Sequence, residues 1–514
     1  MLSEKLLPRA QFVEYDAASP APRNACTENT REALLDKVQV WANDETATKV
    51  YWLNGMAGTG KTTIAYSLSE FLRKKGLLGG TFFSSHLRVD TSDVRCIIPT
   101  ISLQLARKFP PLSHLILDVV EDDPNCSSWR IGKQFLNFMV KPLTAMYRDI
   151  RGILVIVLDA LDECSDQSLV AELLSVILKH SKSLPVKFFI TSRPEVVLKK
   201  TFDRSWDHSN FILHEVEKEI VKADIELYVK AYLRDKYSGV NWPAQAELER
   251  LVDMCGTLFI YAATVCKYIA QPERDESNMP RRLSDVINSK LELTSALNHP
   301  LNILYERILN AAYAHANDGE KLDIDMVLTA VVYVYNPLSR AAISTLMQMP
   351  IEHTKAALSS LHSLVFIPSE PDMPISIFHA SFYDFLANRD FSSKHYLDSC
   401  ISHKSLAIQC LSLMEKEWSA KCDVPYLAQR KCEDISESLA YACGSWAFHF
   451  SYGDNDKGSA ELKNFFQEHL LRWMDCLSIL GKLETAIHSL QKVGVWANVS
   501  GIVTVNGLYL YIYI

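Results

Sequence analysis

Val50-Tyr-Trp-Leu53 runs through Asn54 into Gly55-Met-Ala-Gly-Thr-Gly-Lys61-Thr62, and this junction decides the fold of the first half of the chain. An apolar β-like run leads in. Thr62-Thr-Ile-Ala-Tyr-Ser-Leu-Ser-Glu-Phe-Leu72 leads out with helical periodicity. Between a strand and a helix, G-x-x-x-x-G-K-T reads as a phosphate-binding loop. Its glycines, Gly55, Gly58 and Gly60, let backbone N–H groups curl around β- and γ-phosphates, and the helix N-terminus adds positive potential. The expected nucleotide-binding positions are Gly55, Ala57, Gly58, Thr59, Gly60, Lys61, Thr62 and Thr63. Lys61 neutralises phosphate oxygens, and the Thr62 hydroxyl completes a Mg²⁺ shell.

Working outward, Arg151-Gly-Ile-Leu-Val-Ile-Val-Leu158 reads as a buried strand that ends in Asp159-Ala-Leu-Asp162-Glu163. Ligands of a parallel sheet sit at the carboxyl ends of its strands, which brings Asp159 beside the phosphate loop as a Mg²⁺ holder. A second acid a few residues on can polarise an attacking water, and both Asp162 and Glu163 have the chemistry for it. A further strand, Val186-Lys-Phe-Phe-Ile-Thr191, ends in Ser192-Arg193-Pro194. Pro194 keeps Arg193 extended at the same rim, where a guanidinium can contact a γ-phosphate.

Candidate strands at Lys49–Leu53, Gly80–Ser84, Ile153–Leu158, Val186–Thr191 and Phe211–His214 alternate with helical patterns near 61–75, 94–108, 167–181 and 217–235. This alternation predicts a parallel sheet covered on both faces. A helix over Thr30–Trp41 precedes it, and residues 1–25, with Pro8, Pro20 and Pro22, read as a loose lead-in. The expected boundaries are a nucleotide domain at 26–215, a helical domain at 216–300, a winged-helix-like domain at 301–390 and a C-terminal helical domain at 391–490. The fold class is therefore multidomain, α/β followed by α. The winged-helix expectation rests on short helices followed by Ser363–Ile367 and Ile375–Phe378, with Pro368, Pro371 and Pro374 turning the chain between them.

At 514 residues the chain is too long for one core. Its 53 basic and 61 acidic residues give a net charge of −8, which argues against a nucleic-acid partner. Residues 363–390 contain Arg389 as their only Lys or Arg, too little for a winged helix that reads DNA. The 12 cysteines form no C-x-x-C pair and Met1-Leu-Ser-Glu-Lys5 is no secretory signal, so a reducing cytoplasm is expected. From Val493 to Ile514 no residue is charged. That tail, assigned as 491–514, has the length of a membrane anchor, but its polar and β-branched content reads as a strand.

Together the phosphate loop, the strand ending Asp-x-x-Asp-Glu and the strand ending Thr-Ser-Arg resemble NACHT-type NTPases of the STAND signal-transduction class. The nearest flavour is the nephrocystin-like N-terminal module of fungal proteins. The resemblance implies a cytoplasmic switch that holds ADP, exchanges it for ATP with Mg²⁺, self-associates or meets protein partners, and resets by slow hydrolysis. Innate-immunity or cell-death-type signalling is the output such relatives serve. It also implies that His379, in Phe378-His379-Ala380, touches a β-phosphate in a closed state, and that Arg31-Glu32 lies near the adenine. Two departures stand out: Ala380 replaces an acidic residue, and Gly256-Thr-Leu-Phe-Ile260 lacks the proline that packs on the adenine in relatives. Nothing repetitive follows the module, as a minimal or truncated member would show. Two other readings remain open: a scaffold that holds nucleotide without switching, and a P-loop phosphotransferase.

Overall fold

In the computed structural model, successive residues of the central strands enter two different cores. The structure describes residues 23–195 except 87, 124–125, 127–128, 148–149 and 151, then 211–215, 218–239, 242–271, 276–288, 300–419 except 315, 434–453 and 459–499, with 10–11, 13–17 and 198. It divides into two units, 1–292 and 293–514.

Among the described residues, the first unit holds five strands: β1 (Val50–Asn54), β2 (Leu78–Phe83), β3 (Leu154–Asp159), β4 (Val186–Ser192) and β5 (Phe211–Glu215). All pair in parallel, in the order β2-β3-β4-β1-β5. β-Branched and aromatic residues fill them, as suits strands covered on both faces. Val50, Trp52, Ile156, Leu158, Phe188 and Ile190 face a core closed by α3 (Ile97–Lys108), α4 (Pro110–Asp122), a helical stretch over 131–145 and α5 (Gln167–His180). Their neighbours Tyr51, Leu53, Val155, Val157 and Phe189 face a second core under α1 (Glu32–Asn43) and α2 (Lys61–Lys74). The period of two along each strand thus builds the three-layer sandwich.

Each expected strand is present to within two residues at either end. The helices α4 and 131–145 are additions that the alternation of strands and helices did not require. Part of the lead-in is built into the sheet edge: Phe83 N donates to Val13 O at 3.0 Å, and Tyr15 N to Thr81 Oγ1 at 3.0 Å. Lys187, the second residue of β4, is fully buried, and its Nζ donates to Trp41 O at 2.6 Å and to Asp44 O. It satisfies the last carbonyls of α1 with a cation, where the helix dipole is negative.

The first unit continues as helices α6 (Lys218–Lys236), α7 (Gln245–Cys255), α8 (Phe259–Ile269) and α9 (Met279–Asn288).

The second unit opens with α10 (Pro300–Ala314), α11 (Asp318–Tyr333), α12 (Arg340–Leu346) and α13 (Ile351–Ser360). The antiparallel pair β6 (Val365–Phe366) and β7 (Ser376–Ile377) follows, with a bridge from Ser339 to Pro374 beside it. Short helices closed by this hairpin give the winged-helix-like arrangement. After α14 (Ala380–Leu386) come α15 (Ser399–Ser419), α16 (Glu437–Tyr452), α17 (Leu470–Ile479) and α18 (Leu483–Val499). The strand expected from 493 onward is instead the last turns of α18 as far as Val499, and residues 500–514 lie outside the described residues. α18 packs on α16 and α17, and tertiary packing overrides the β-branched composition. Among the described residues, no helix is long and apolar enough to cross a membrane.

Candidate functional site

The strand order places β4 between β1 and β3, so three neighbouring carboxyl ends converge: the phosphate loop after β1, the acids after β3 and Arg193 after β4. Two bonds from β4 fasten this edge. Trp52 Nε1 donates to Ser192 Oγ at 2.8 Å, and Gly55 N to Ser192 O at 3.4 Å.

Gly58 and Gly60 adopt φ of +76° and +87°, a region that side chains strain against. Gly60 caps α2 without any side-chain acceptor, so the first turn of the helix keeps its N–H groups for the loop. Lys61 folds back over the loop, its Nζ donating to Gly55 O at 2.6 Å and Met56 O at 2.9 Å. Burial lowers its pKa, while Asp162 and Asp159 oppose the shift.

Asp159 is 1% exposed. The Thr191 hydroxyl donates to its Oδ1, the Thr62 hydroxyl is a second partner, and Ala160 N donates to Thr191 Oγ1 at 2.9 Å. Burial pushes the Asp159 carboxyl up to about 6, against these hydrogen bonds and the charge of Arg23. Ala160 follows at φ 55°, a strained turn that swings the next acids outward. A hydroxyl and a carboxylate already joined to each other are a hard-oxygen donor pair, which fits Mg²⁺.

Asp162 and Glu163 have different surroundings. Asp162 is clamped to Arg193: its Oδ1 accepts from Arg193 N at 2.9 Å, and its Oδ2 lies 3.0 Å from Arg193 Nε. Burial raises the Asp162 pKa, as does Glu163, while Arg193 and Lys61 work against them. Glu163 instead faces His86, with Oε2 3.2 Å from Nδ1. Arg23 comes from the lead-in, its guanidinium 4.6 Å from the centre of the Phe83 ring, and feels the charges of Asp159 and Glu163.

The start of α8 sits on the phosphate loop. Ile260 N donates to Gly58 O at 3.2 Å, and a Cβ on Gly58 would lie 2.1 Å from Ile260 Cγ2. Arg31, at φ 60°, donates to Thr59 O at 2.7 Å, lies 3.7 Å from Asp224 of α6 and stacks 4.9 Å from the Phe259 ring. The segment Gly256–Ile260 thus reaches the loop without the proline.

Sequence reasoning missed Arg23, His86, Asp224, Phe259 and Ile260. Only His86 carried a readable signal, since it lies just past the carboxyl end of β2, as Asp159 lies at that of β3. His379 belongs to the second unit. There it caps α14: its Nδ1 accepts from Ser381 N at 3.1 Å and lies 2.8 Å from Ser381 Oγ.

A parallel sheet with these three strand ends defines a nucleotide-binding, ATPase-like P-loop protein. More particularly, residues 29–193 match the family model described as Nephrocystin 3, N-terminal. No curated protein matches the chain. Among solved structures, it is similar to a Signal Transduction ATPase with Numerous Domains (STAND) protein with a tetratricopeptide repeat sensor from Pyrococcus horikoshii. The two share 13% identity at a TM-score of 0.41, over 94% of this chain and 66% of that one. The chain therefore spans a little under two-thirds of that protein. It is also similar to the Aeropyrum pernix ORC1 protein in complex with DNA, at 13% identity and a TM-score of 0.31, covering 71% of this chain and 93% of that one. Cdc6p from Pyrobaculum aerophilum matches at 14% identity and a TM-score of 0.30, with the same coverage.

Proposed function

We propose that this chain is an ATP/ADP-regulated cytoplasmic switch with slow Mg²⁺-dependent hydrolysis, of the STAND and NACHT type. The observation that carries the reading is the joining of Thr62 to Asp159, beside Lys61 and the Asp162–Arg193 clamp, at three adjacent strand ends. In this reading the loop N–H groups from Ala57 to Thr63 and the Lys61 ammonium hold the phosphates. Thr62 and Asp159 are the residues that hold Mg²⁺, which when bound neutralises β- and γ-phosphate oxygens.

Glu163 takes the proton of the attacking water. Asp162 is already engaged twice by Arg193, and its part is to aim that guanidinium at the γ-phosphate. Lys61 leaves two carbonyls to meet phosphate, an exchange of neutral partners for charged ones. The contacts of Ile260 and Arg31 with the loop support a coupling of phosphate state to the helices α6–α9. A nucleotide shifts such an equilibrium only by its differential affinity for the two arrangements. His379 is proposed as a second phosphate reader, and self-association or protein partners as the output in signalling. No nucleic-acid partner is proposed.

The test is the nucleotide carried by purified protein and its size in solution with ADP and with a non-hydrolysable ATP analogue. Co-purified ADP and a larger species with the analogue are expected. Bound nucleotide with no change in size would turn the reading to a nucleotide-holding scaffold. Phosphoryl transfer to a small-molecule acceptor would turn it to a phosphotransferase.

A further inference from the structure

Glu163 is met from a second strand end. Phe83, the last residue of β2, is in register with Asp159, and Ser84 N donates to Asp159 O at 3.0 Å. The chain leaving β2 therefore starts beside the acids. There His86 Nδ1 comes within 3.2 Å of Glu163 Oε2, with the two side chains 24% and 20% exposed. An ionised carboxylate offers only lone pairs, so His86 is the donor and its proton sits on Nδ1. The other charged groups that face Glu163 are Asp159, Asp162, Lys61 and Arg23. Asp162 is engaged by Arg193 and Lys61 by loop carbonyls. A hydrogen bond at Oε2 fixes the rotation of the carboxylate.

We propose that His86 is a positioning residue for hydrolysis, orienting Glu163 from the end of β2; this rests on the reading of Glu163 as the base. In the step it serves, the water oxygen bonds to the γ-phosphorus and the bond from that phosphorus to the β-phosphate oxygen breaks. The electron pair leaves with ADP, and the water proton passes to Glu163 and then to solvent. His86 touches neither substrate nor the reacting atoms. Its effect falls on turnover rather than on nucleotide affinity.

The experiment is single-turnover hydrolysis of ATP with excess full-length protein, alongside nucleotide affinity and thermal melting. The variants are His86→Ala, His86→Asn, Glu163→Gln and the double variant His86→Ala with Glu163→Gln. His86→Ala is expected to slow hydrolysis by about 10- to 100-fold, the range found when orienting partners are removed, with affinity within about twofold. His86→Asn, whose amide nitrogen falls near the place of Nδ1, recovers most of the rate. Glu163→Gln falls by about 10²-fold or more, and the double variant is no slower than Glu163→Gln alone, since both act through one carboxylate.

If His86→Ala hydrolyses at the wild-type rate, or the double variant falls further still, the His86 proposal is overturned while an inactive Glu163→Gln preserves the base. If Glu163→Gln hydrolyses normally, the base reading itself fails and takes the proposal with it. Equal losses in both His86 variants, together with weaker nucleotide binding or a lower melting temperature, would mean a merely structural histidine.

Discussion

Buried polar groups are handled in opposite ways at the sheet edge of the first unit and in the helical core of the second. At the edge, Asp159, Asp162, Lys61 and Arg193 act on one another's charge: burial raises the two carboxyls, Asp159 to about 6, and lowers Lys61, while opposite charges work against each shift. Among α11, α15 and α16, burial drives histidines to neutrality. His449 is fully buried and its pKa lies well below the usual value, while that of His403 falls to about 4, in both cases through desolvation. A chain of hydrogen bonds serves them: Tyr335 N donates to Tyr441 OH at 2.9 Å, Tyr441 OH meets His449 Nε2 at 2.6 Å, and His449 Nδ1 meets His403 Nδ1 at 2.8 Å. A neutral imidazole donates from one ring nitrogen and accepts at the other, so His449 serves both neighbours at once. Every member is satisfied without a charge. Burial alone therefore does not mark a site; burial of groups that oppose one another in charge at converging strand ends does.

The sharpest way to break this contrast is to remove one group from each region and measure both nucleotide affinity and stability. Lys61→Ala is expected to cost about 2–5 kcal/mol of nucleotide binding, the range for losing one partner of a buried charge pair. That is at least roughly thirtyfold in a fluorescent-nucleotide titration. The melting temperature without nucleotide should change little, because the ammonium there meets only loop carbonyls. Unchanged affinity would remove Lys61 from the site.

His449→Ala should do the reverse. It leaves Tyr441 and His403 without their partner and opens a void, at a cost of about 2–4 kcal/mol in urea unfolding. Nucleotide affinity should hold. An equal loss of affinity would erase the distinction between the two regions.

Gly58→Ala lies between these cases. A φ of +76° and the approach to Ile260 both oppose a side chain, so a loss of about 1–3 kcal/mol is expected. It should reach both stability and affinity, since the loop and the start of α8 share the contact. If stability alone fell, the loop would be indifferent to α8.

The same contrast governs what the chain revealed before folding. Apolar runs such as Leu154–Asp159 and the glycine pattern before Lys61 are local, and both strand and loop were legible from them. Asp159 and Arg193 were legible through one rule, that ligands gather at strand carboxyl ends. The clamp between Asp162 and Arg193 was not, because it depends on β4 lying between β1 and β3, a pairing that no local pattern encodes. Asp224 and Ile260 are silent for the same reason: each acts from a later helix on a loop or residue far away in the chain. At the other end of the chain, β-branched residues read as a strand where α18 continues to Val499. In that region composition is a weak guide, and packing on α16 and α17 decides.

Lys187 tests the contrast at its smallest scale, since it is a buried cation outside the site. Burial holds its pKa down to about 8, with Lys49 adding to the effect and Asp44 opposing it. Two carbonyls meet Nζ, and a neutral amine has two N–H groups to give them, so the folded state tolerates the loss of the proton. The unfolded chain keeps that proton up to the ordinary value of 10.5. Between about 8 and 10.5 the unfolded state binds more protons, and the contribution of this group to stability rises with pH; below 8 it is flat. In Lys187→Met that rise is absent. Comparing urea midpoints of the two proteins at pH 7.5, 9 and 10 should show the wild type gaining on the variant as pH rises, on the order of 1 kcal/mol. A gap that stays constant would mean that the lysine keeps its charge inside the sheet, and that the site's charged groups are less exceptional than their neighbours make them.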